Sequence, residues 1–122
     1  GYSSAASDVY KRQTTWDAVH SGMRMVISTL DAFNGMGVEV AGKTGTAQQV
    51  QTRPNHALFV GYAPYADPEV SIATRIAYGY TSHNAADVSA QILKYYFKLA
   101  SEEELLDGTA EDVGNSANAV TD

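Results

Sequence analysis

Lys43, Thr44, Gly45 and Thr46 are the residues of this chain best suited to chemistry. The lysine supplies a fixed positive charge. The two hydroxyls stand at alternate positions, so on a β-strand they share a face. Gly45, between them, removes a side chain where another molecule must come close to the backbone. Such a strand can hold a carboxylate by charge and hydroxyl hydrogen bonds while an acyl carbonyl lies against its edge. No Ser-x-x-Lys, a pairing in which a lysine one helical turn on can activate a serine, occurs in the 122 residues.

A strand with that task needs neighbours to hold it. Thr14 or Thr15 can cap a helix, with Asp17 in its first turn. Trp16, Val19, Met23, Val26, Ile27 and Leu30 recur at three- and four-residue steps and predict one apolar face. Gly22 within that helix costs about 1 kcal/mol against alanine, and close packing on a sheet is the expected reason. Asn34-Gly35-Met36-Gly37 should end the helix and turn the chain. Three strands are then expected, Val38 to Gln48, His56 to Tyr62 and Val70 to Ala77, the middle one apolar enough to be central and covered on both faces. Short links make the sheet an antiparallel meander. A final helix follows, with Asn84 as N-cap, Asp87 three residues on, and Val88, Ile92, Tyr95 or Tyr96, and Leu99 as its apolar face. Lys94 and Lys98 suit the dipole at its C-terminal end. The fold class is α+β, a sheet of about three strands packed by N- and C-terminal helices.

Composition bounds the rest. The chain is one domain at most and has no cysteine, hence no disulfide framework or thiol chemistry. No run of about 18 apolar residues crosses a membrane. The net charge of −6 is concentrated in residues 101–122, which hold acids and no base, while the remainder is nearly neutral. That distribution gives no field favouring nucleic acid. Residues 1–13 lack periodicity and read as a disordered or non-native leader, residues 14–100 as the structured part, and residues 101–122 as an acidic disordered tail.

Several other patterns occur in the sequence. Gly37 to Thr44 satisfies the phosphate-loop spacing G-x-x-x-x-G-K-[ST]. A phosphate loop, however, follows a buried strand and opens a helix. Here strand-forming residues fill the loop positions, and a poor helix former follows Thr44. His20, His56 and His83 have no ligand spacing, so no metal site is expected. Arg53, before the second strand, reads as a loop arginine rather than a substrate contact. Tyr95-Tyr96-Phe97 reads as sheet packing.

The stretch from Trp16 to Leu99 resembles the C-terminal part of the transpeptidase domain of class B penicillin-binding proteins. Trp16-x-x-Val19-x-x-Gly22-Met23, Ala41-Gly42-Lys43-Thr44-Gly45-Thr46-Ala47-Gln48 and His56-Ala57-Leu58-Phe59-Val60-Gly61-Tyr62-Ala63-Pro64 carry the resemblance. The segments from Asn55 to Tyr62 and from Tyr78 to Phe97 are most similar to elongation-type members. The resemblance implies catalytic roles for Lys43 and Thr46 and substrate-binding roles for Thr44, Gly45 and Thr46. Lys43 would keep the active-site protons placed. The Thr44 and Thr46 hydroxyls would bind the carboxylate of a terminal D-alanine or a β-lactam, and the Thr46 N–H would be one oxyanion donor. Ser82-His83-Asn84 is similar to the family's Ser-x-Asn motif, but that motif precedes the lysine strand in the family, so a loop and helix cap are expected here.

By the same resemblance the parent works at the bacterial cell envelope, on the outer side of the cytoplasmic membrane, anchored through a region absent from this chain. It would cross-link D-Ala-D-Ala stem peptides, react with β-lactams and join the cell-wall elongation machinery, with no cofactor and no nucleic acid. The chain alone should not turn over substrate, since it lacks the serine. A serine β-lactamase, a DD-carboxypeptidase and a β-lactam sensor share the Lys-Thr-Gly motif. A small interaction module with an accidental Lys-Thr-Gly is the non-enzyme alternative.

Overall fold

Three runs of strand-forming residues joined by short links give an antiparallel sheet in the order β1-β2-β3: β1 Ala41–Ala47, β2 His56–Ala63 and β3 Val70–Ile76. The computed structural model describes residues 2–106. The sheet is preceded by helix α1, Tyr2–Ile27, and a 3₁₀ turn, Asp31–Phe33; it is followed by helix α2, Ser82–Tyr96, and a single turn, α3, Glu102–Leu105. This is the α+β arrangement that the periodicity predicts. Register places Lys43 opposite Val60, Thr44 opposite Phe59 and Thr46 opposite Ala57.

Burial alternates along β2. Ala57, Phe59, Gly61 and Ala63 are buried, whereas Val60 is 50% exposed. The central strand is therefore covered on one face and open on the other, not covered on both. On the covered face, Phe33 from the 3₁₀ turn stacks on Phe59 with ring centroids 5.4 Å apart. Ile27, Leu30, Met36 and Val40 complete that side of the core, and Ala85, Ala86, Ala90 and Leu93 of α2 close it. Burying side chains of this size stabilises by roughly 1.5–3 kcal/mol for each large aliphatic or aromatic residue.

Both helices depart from the periodicity reading. Helix α1 starts at Tyr2, not at Thr14 or Thr15. No glycine or proline lies between Tyr2 and Ser21, so nothing stops the helix from propagating N-terminally. Its C-terminal end enters the core: Ile27 is buried, as is Leu30 just beyond the helix, whereas Trp16 and Val19 are exposed. Gly22 is exposed as well, and a Cβ there would meet nothing within 4 Å, so close packing does not explain it. The helix ends at Ile27, and Gly35 and Gly37, with φ of 67° and 78°, make the expected turn into β1.

Helix α2 is capped by Thr81, whose hydroxyl accepts from the His83 N–H, and not by Asn84. Asn84 instead donates its side-chain amide to Gly79 O at 2.7 Å. The face of α2 that packs on the sheet is Ala85, Ala86, Ser89, Ala90 and Leu93. Val88, Ile92, Tyr95, Tyr96 and Leu99 are all exposed, and of the aromatic run only Phe97 packs on the core. Small residues let the helix approach the sheet closely, and that preference outweighs the hydropathy pattern.

Within the acidic stretch, Ser101 and Glu104 form a capping box at the start of α3. The remainder of the expected disordered tail, residues 107–122, lies outside the described residues. A line of aromatic rings ties α1 to the sheet. Trp16 packs on His20 at 5.8 Å, His20 on Tyr62 at 5.5 Å, and Tyr62 on Tyr65 at 6.4 Å. The Tyr62 hydroxyl is enclosed without a hydrogen-bond partner, and burial, then the Tyr65 hydroxyl, push its pKa above the ordinary phenol value. An exposed Arg24–Glu39 pair at 3.2 Å also links α1 to the lead-in of β1; pairs of this kind contribute about 1 kcal/mol or less.

Candidate active site

β1 is an edge of the sheet among the described residues, so half of its backbone polar groups point away from β2. Two hydrogen bonds identify which half. The Tyr65 N–H donates to Glu39 O at 2.8 Å just before β1, and Ala41 O lies against Gly61 of β2, 2.7 Å from where its Cβ would be, so the odd-numbered residues along β1 turn their amides and carbonyls toward β2. The Lys43 ammonium donates to Thr44 O at 2.6 Å, on the other side. The N–H and C=O of Thr44 and Thr46 therefore face the open edge. Their side chains share one face of the sheet, and Lys43 and Gly45 share the other. Lys43 and Thr46 are exposed, and Thr44 and Gly45 are half-buried.

The strand can carry this edge because its other glycine is used for packing. A Cβ on Gly42 would lie 2.5 Å from Phe59 Cζ, and one on Gly61, directly opposite, 2.7 Å from Ala41 O. The Phe59 ring fills the space above both glycines. Gly45 differs. A Cβ there would meet Leu58 Cβ at 3.4 Å, close to ordinary contact. No contact among the described residues requires a glycine at position 45.

Beyond Ala47 the chain is held by His56, the residue paired with Ala47 at the end of the ladder. The imidazole is buried. The Tyr78 N–H donates to Nδ1 at 3.0 Å, and Nε2 lies 2.7 Å from Gln49 Oε1. Arg53 is an exposed loop arginine whose guanidinium lies over the Tyr78 ring at 5.1 Å. Sequence reasoning weighed His56 only as a metal ligand and missed this cluster. Its members come from three separate segments, and only the register brings them together.

Ser82 and Asn84 sit in the first turn of α2, directly after its Thr81 cap, rather than in a loop. No helix follows Thr44; β1 continues to Ala47, which removes the phosphate-loop reading. Among the described residues no three His, Asp or Glu side chains converge as metal ligands do. A groove of about 350 Å³ lies between α2 and α3, lined by Val88, Ile92, Tyr95, Leu105 and Leu106 among others, and includes no residue of β1.

Residues 8–98, about three quarters of the chain, match the family described as the penicillin binding protein transpeptidase domain. Over 101 residues the chain is 31% identical to the peptidoglycan D,D-transpeptidase MrdA of Haemophilus influenzae, covering 66% of this chain and 16% of MrdA. PBP2 of Pseudomonas aeruginosa, solved in complex with WCK 5153, superposes with a TM-score of 0.61 at 33% identity, covering 73% of this chain and 20% of that one. PBP2 of Helicobacter pylori, solved in complex with MreC, superposes with a TM-score of 0.64 over 73% of this chain and 18% of that one; at 22% identity this likeness is one of fold. The chain thus spans about a sixth to a fifth of the length of these relatives.

Proposed function

This chain belongs to the penicillin-binding protein transpeptidase family, and from that premise we propose that it is the part of a peptidoglycan D,D-transpeptidase that carries the substrate- and β-lactam-binding strand. The observation that carries this reading is the open edge of β1. There the Thr46 N–H faces outward, beside a backbone that Gly45 leaves uncovered for reasons internal packing does not supply. A D-Ala-D-Ala terminus, or a β-lactam in its place, lies antiparallel along that edge with its carboxylate on the Thr44 and Thr46 hydroxyls. The carbonyl under attack receives a hydrogen bond from the Thr46 N–H.

The nucleophilic serine comes from a part of the parent outside this chain, as does the second oxyanion donor, the serine's own N–H. Serine oxygen adds to the carbonyl, the bond to the terminal D-alanine breaks and D-alanine leaves with a proton. An amine of a neighbouring stem peptide then displaces the serine. Lys43 places positive charge beside the serine's proton network and the bound carboxylate. Loss of one oxyanion donor typically costs about 2.7–4 kcal/mol of barrier. The 31% identity to a named D,D-transpeptidase favours this reading over a β-lactamase or a sensor. The parent works at the outer face of the cytoplasmic membrane, held by a region outside this chain, with the elongation machinery as its partner.

The test is Lys43→Ala in a full-length transpeptidase carrying this segment. Acylation by a fluorescent penicillin should slow at least tenfold, since a charge-assisted contact is worth about 1.5–3 kcal/mol and about 1.4 kcal/mol is one decade of rate. Thr46→Val should slow it less, because the backbone N–H stays. The 122-residue chain itself should form no covalent adduct that survives denaturation. Parental acylation by a folded Lys43→Ala protein would overturn the assignment and move the interaction-module alternative ahead.

A further inference from the structure

Thr46, whose N–H is the proposed oxyanion donor, stands one residue before the end of β1, where a strand is free to fray. The residue after it, Ala47, is paired with His56 in the last rung of the ladder. His56 is 6% exposed, and its two ring nitrogens have different partners. Because Nδ1 accepts from the Tyr78 N–H at 3.0 Å, the ring proton sits on Nε2, which donates to Gln49 Oε1 at 2.7 Å. Arg75 Nη2, 3.4 Å from Nε2, meets a donor and makes no hydrogen bond with it. One neutral imidazole thus joins the first turn after β1 to the turn after β3.

The turn it grips is itself strained. Tyr78 and Tyr80 have φ of 54° and 66°, left-handed values that tyrosine adopts at a cost. The Tyr80 N–H bonds Asn55 O at 3.1 Å, directly before His56. The Tyr78 ring lies 4.9 Å from the imidazole and under the Arg53 guanidinium. A residue that merely filled volume at position 56 would supply neither directional bond.

On the acylation reading above, the geometry points to His56 as a positioning residue that, through Ala47 and Gln49, fixes the direction in which the Thr46 N–H is aimed. Gln49, in the turn just after β1, is its agent, and Tyr78 is its anchor beyond β3. His56 does not touch the substrate. It acts on the reaction only through the strand end.

The experiment uses a full-length transpeptidase carrying this segment and separates the non-covalent dissociation constant for penicillin from the first-order acylation rate constant. Gln49 is exposed, so Gln49→Ala removes the agent without endangering the core. It should lower the acylation rate constant about tenfold, less than the roughly hundredfold that a 1 Å misplacement can cost. The dissociation constant should change less than about threefold, because the carboxylate contacts remain. His56→Leu should lose more than Gln49→Ala. His56→Asn, which keeps an acceptor for the Tyr78 N–H, should recover part of the difference. In the same Gln49→Ala protein the Thr46 amide resonance should shift, and in the parent the imidazole ¹⁵N shifts should report the Nε2–H tautomer. Acylation at the parental rate in Gln49→Ala, with the Thr46 amide unmoved, overturns the proposal even if His56→Leu fails to fold. Lys43→Ala measured alongside distinguishes the two failures. If it too acylates normally, the transpeptidase reading has failed; if it alone is slow, only the role of His56 has.

Discussion

A single methyl group separates the glycines of this sheet into two kinds. On Gly42 it would press into the Phe59 ring at 2.5 Å and into Val60 O at 2.9 Å. Overpacking of this sort costs about 1–3 kcal/mol, so Gly42→Ala should lower the unfolding free energy by that amount, read as a lower urea midpoint without a change in slope. On Gly45 the same methyl reaches only Leu58 at 3.4 Å. Gly45→Ala should therefore leave stability within about 0.5 kcal/mol, the usual range away from the core, yet slow acylation in the full-length parent. The pair tells fold from function with the smallest possible change. Ser89 is a third informative residue. Fully buried, its Oγ donates to Ala85 O at 2.7 Å and accepts from the Thr74 hydroxyl at 2.7 Å. Ser89→Ala strands the Thr74 hydroxyl against an apolar helix face and should cost about 1–3 kcal/mol, read from the same denaturation curves.

Among the elements, α3 is held by chemistry that titrates. The Ser101 N–H donates to Glu104 Oε2 at 2.8 Å, the Ser101 hydroxyl donates to the same oxygen at 3.1 Å, and the Glu104 N–H returns a bond to Ser101 Oγ at 3.3 Å. The backbone bond first, then the side-chain bond, holds the Glu104 carboxyl below its ordinary pKa. A lowered carboxyl pKa means that the turn is favoured above the unfolded value and loosens as pH falls through the folded one. Amide exchange at Ser101 should speed up across that interval while the exchange of β2 stays constant. How far these elements could be read beforehand depended on what held them. The strand carrying Lys43 to Thr46, its two partners and their order were legible, because β-forming runs and short polar links leave few alternatives. The packing face of α2 was not. Val88, Ile92 and Tyr95 carry the hydropathy, but Ala85, Ala86 and Ser89 carry the fit, and fit depends on the Phe59 ring across the gap. The early start of α1 was not legible because residues 1–13 show no periodic apolar face in the sequence. The His56 cluster was hidden for another reason: Gln49, Tyr78 and Arg53 become neighbours only through the register of strands set elsewhere in the chain.

Taken as a whole, the molecule presents a substantial apolar exterior. Met25, Tyr95, Trp16, Tyr96, Ile92 and Val60 are each at least half exposed, and Tyr95 and Ile92 lie together on α2 beside the groove it shares with α3. Contiguous faces of this kind associate in water. The isolated chain should self-associate at micromolar concentration, and Ile92→Lys with Tyr95→Lys should return it to a monomer by light scattering with its far-ultraviolet dichroism unchanged. A monomeric parent chain would argue against this account of the exterior. The aromatic line from α1 to the sheet bears on how such states could be followed. Trp16 is the only tryptophan, and it touches His20, which touches Tyr62. Light absorbed by Tyr62 and Tyr65 therefore passes to the indole most efficiently while α1 lies on the sheet. Excitation of the tyrosines, read at the indole emission, would give a built-in optical gauge of whether that helix is docked or has swung away, with no label added.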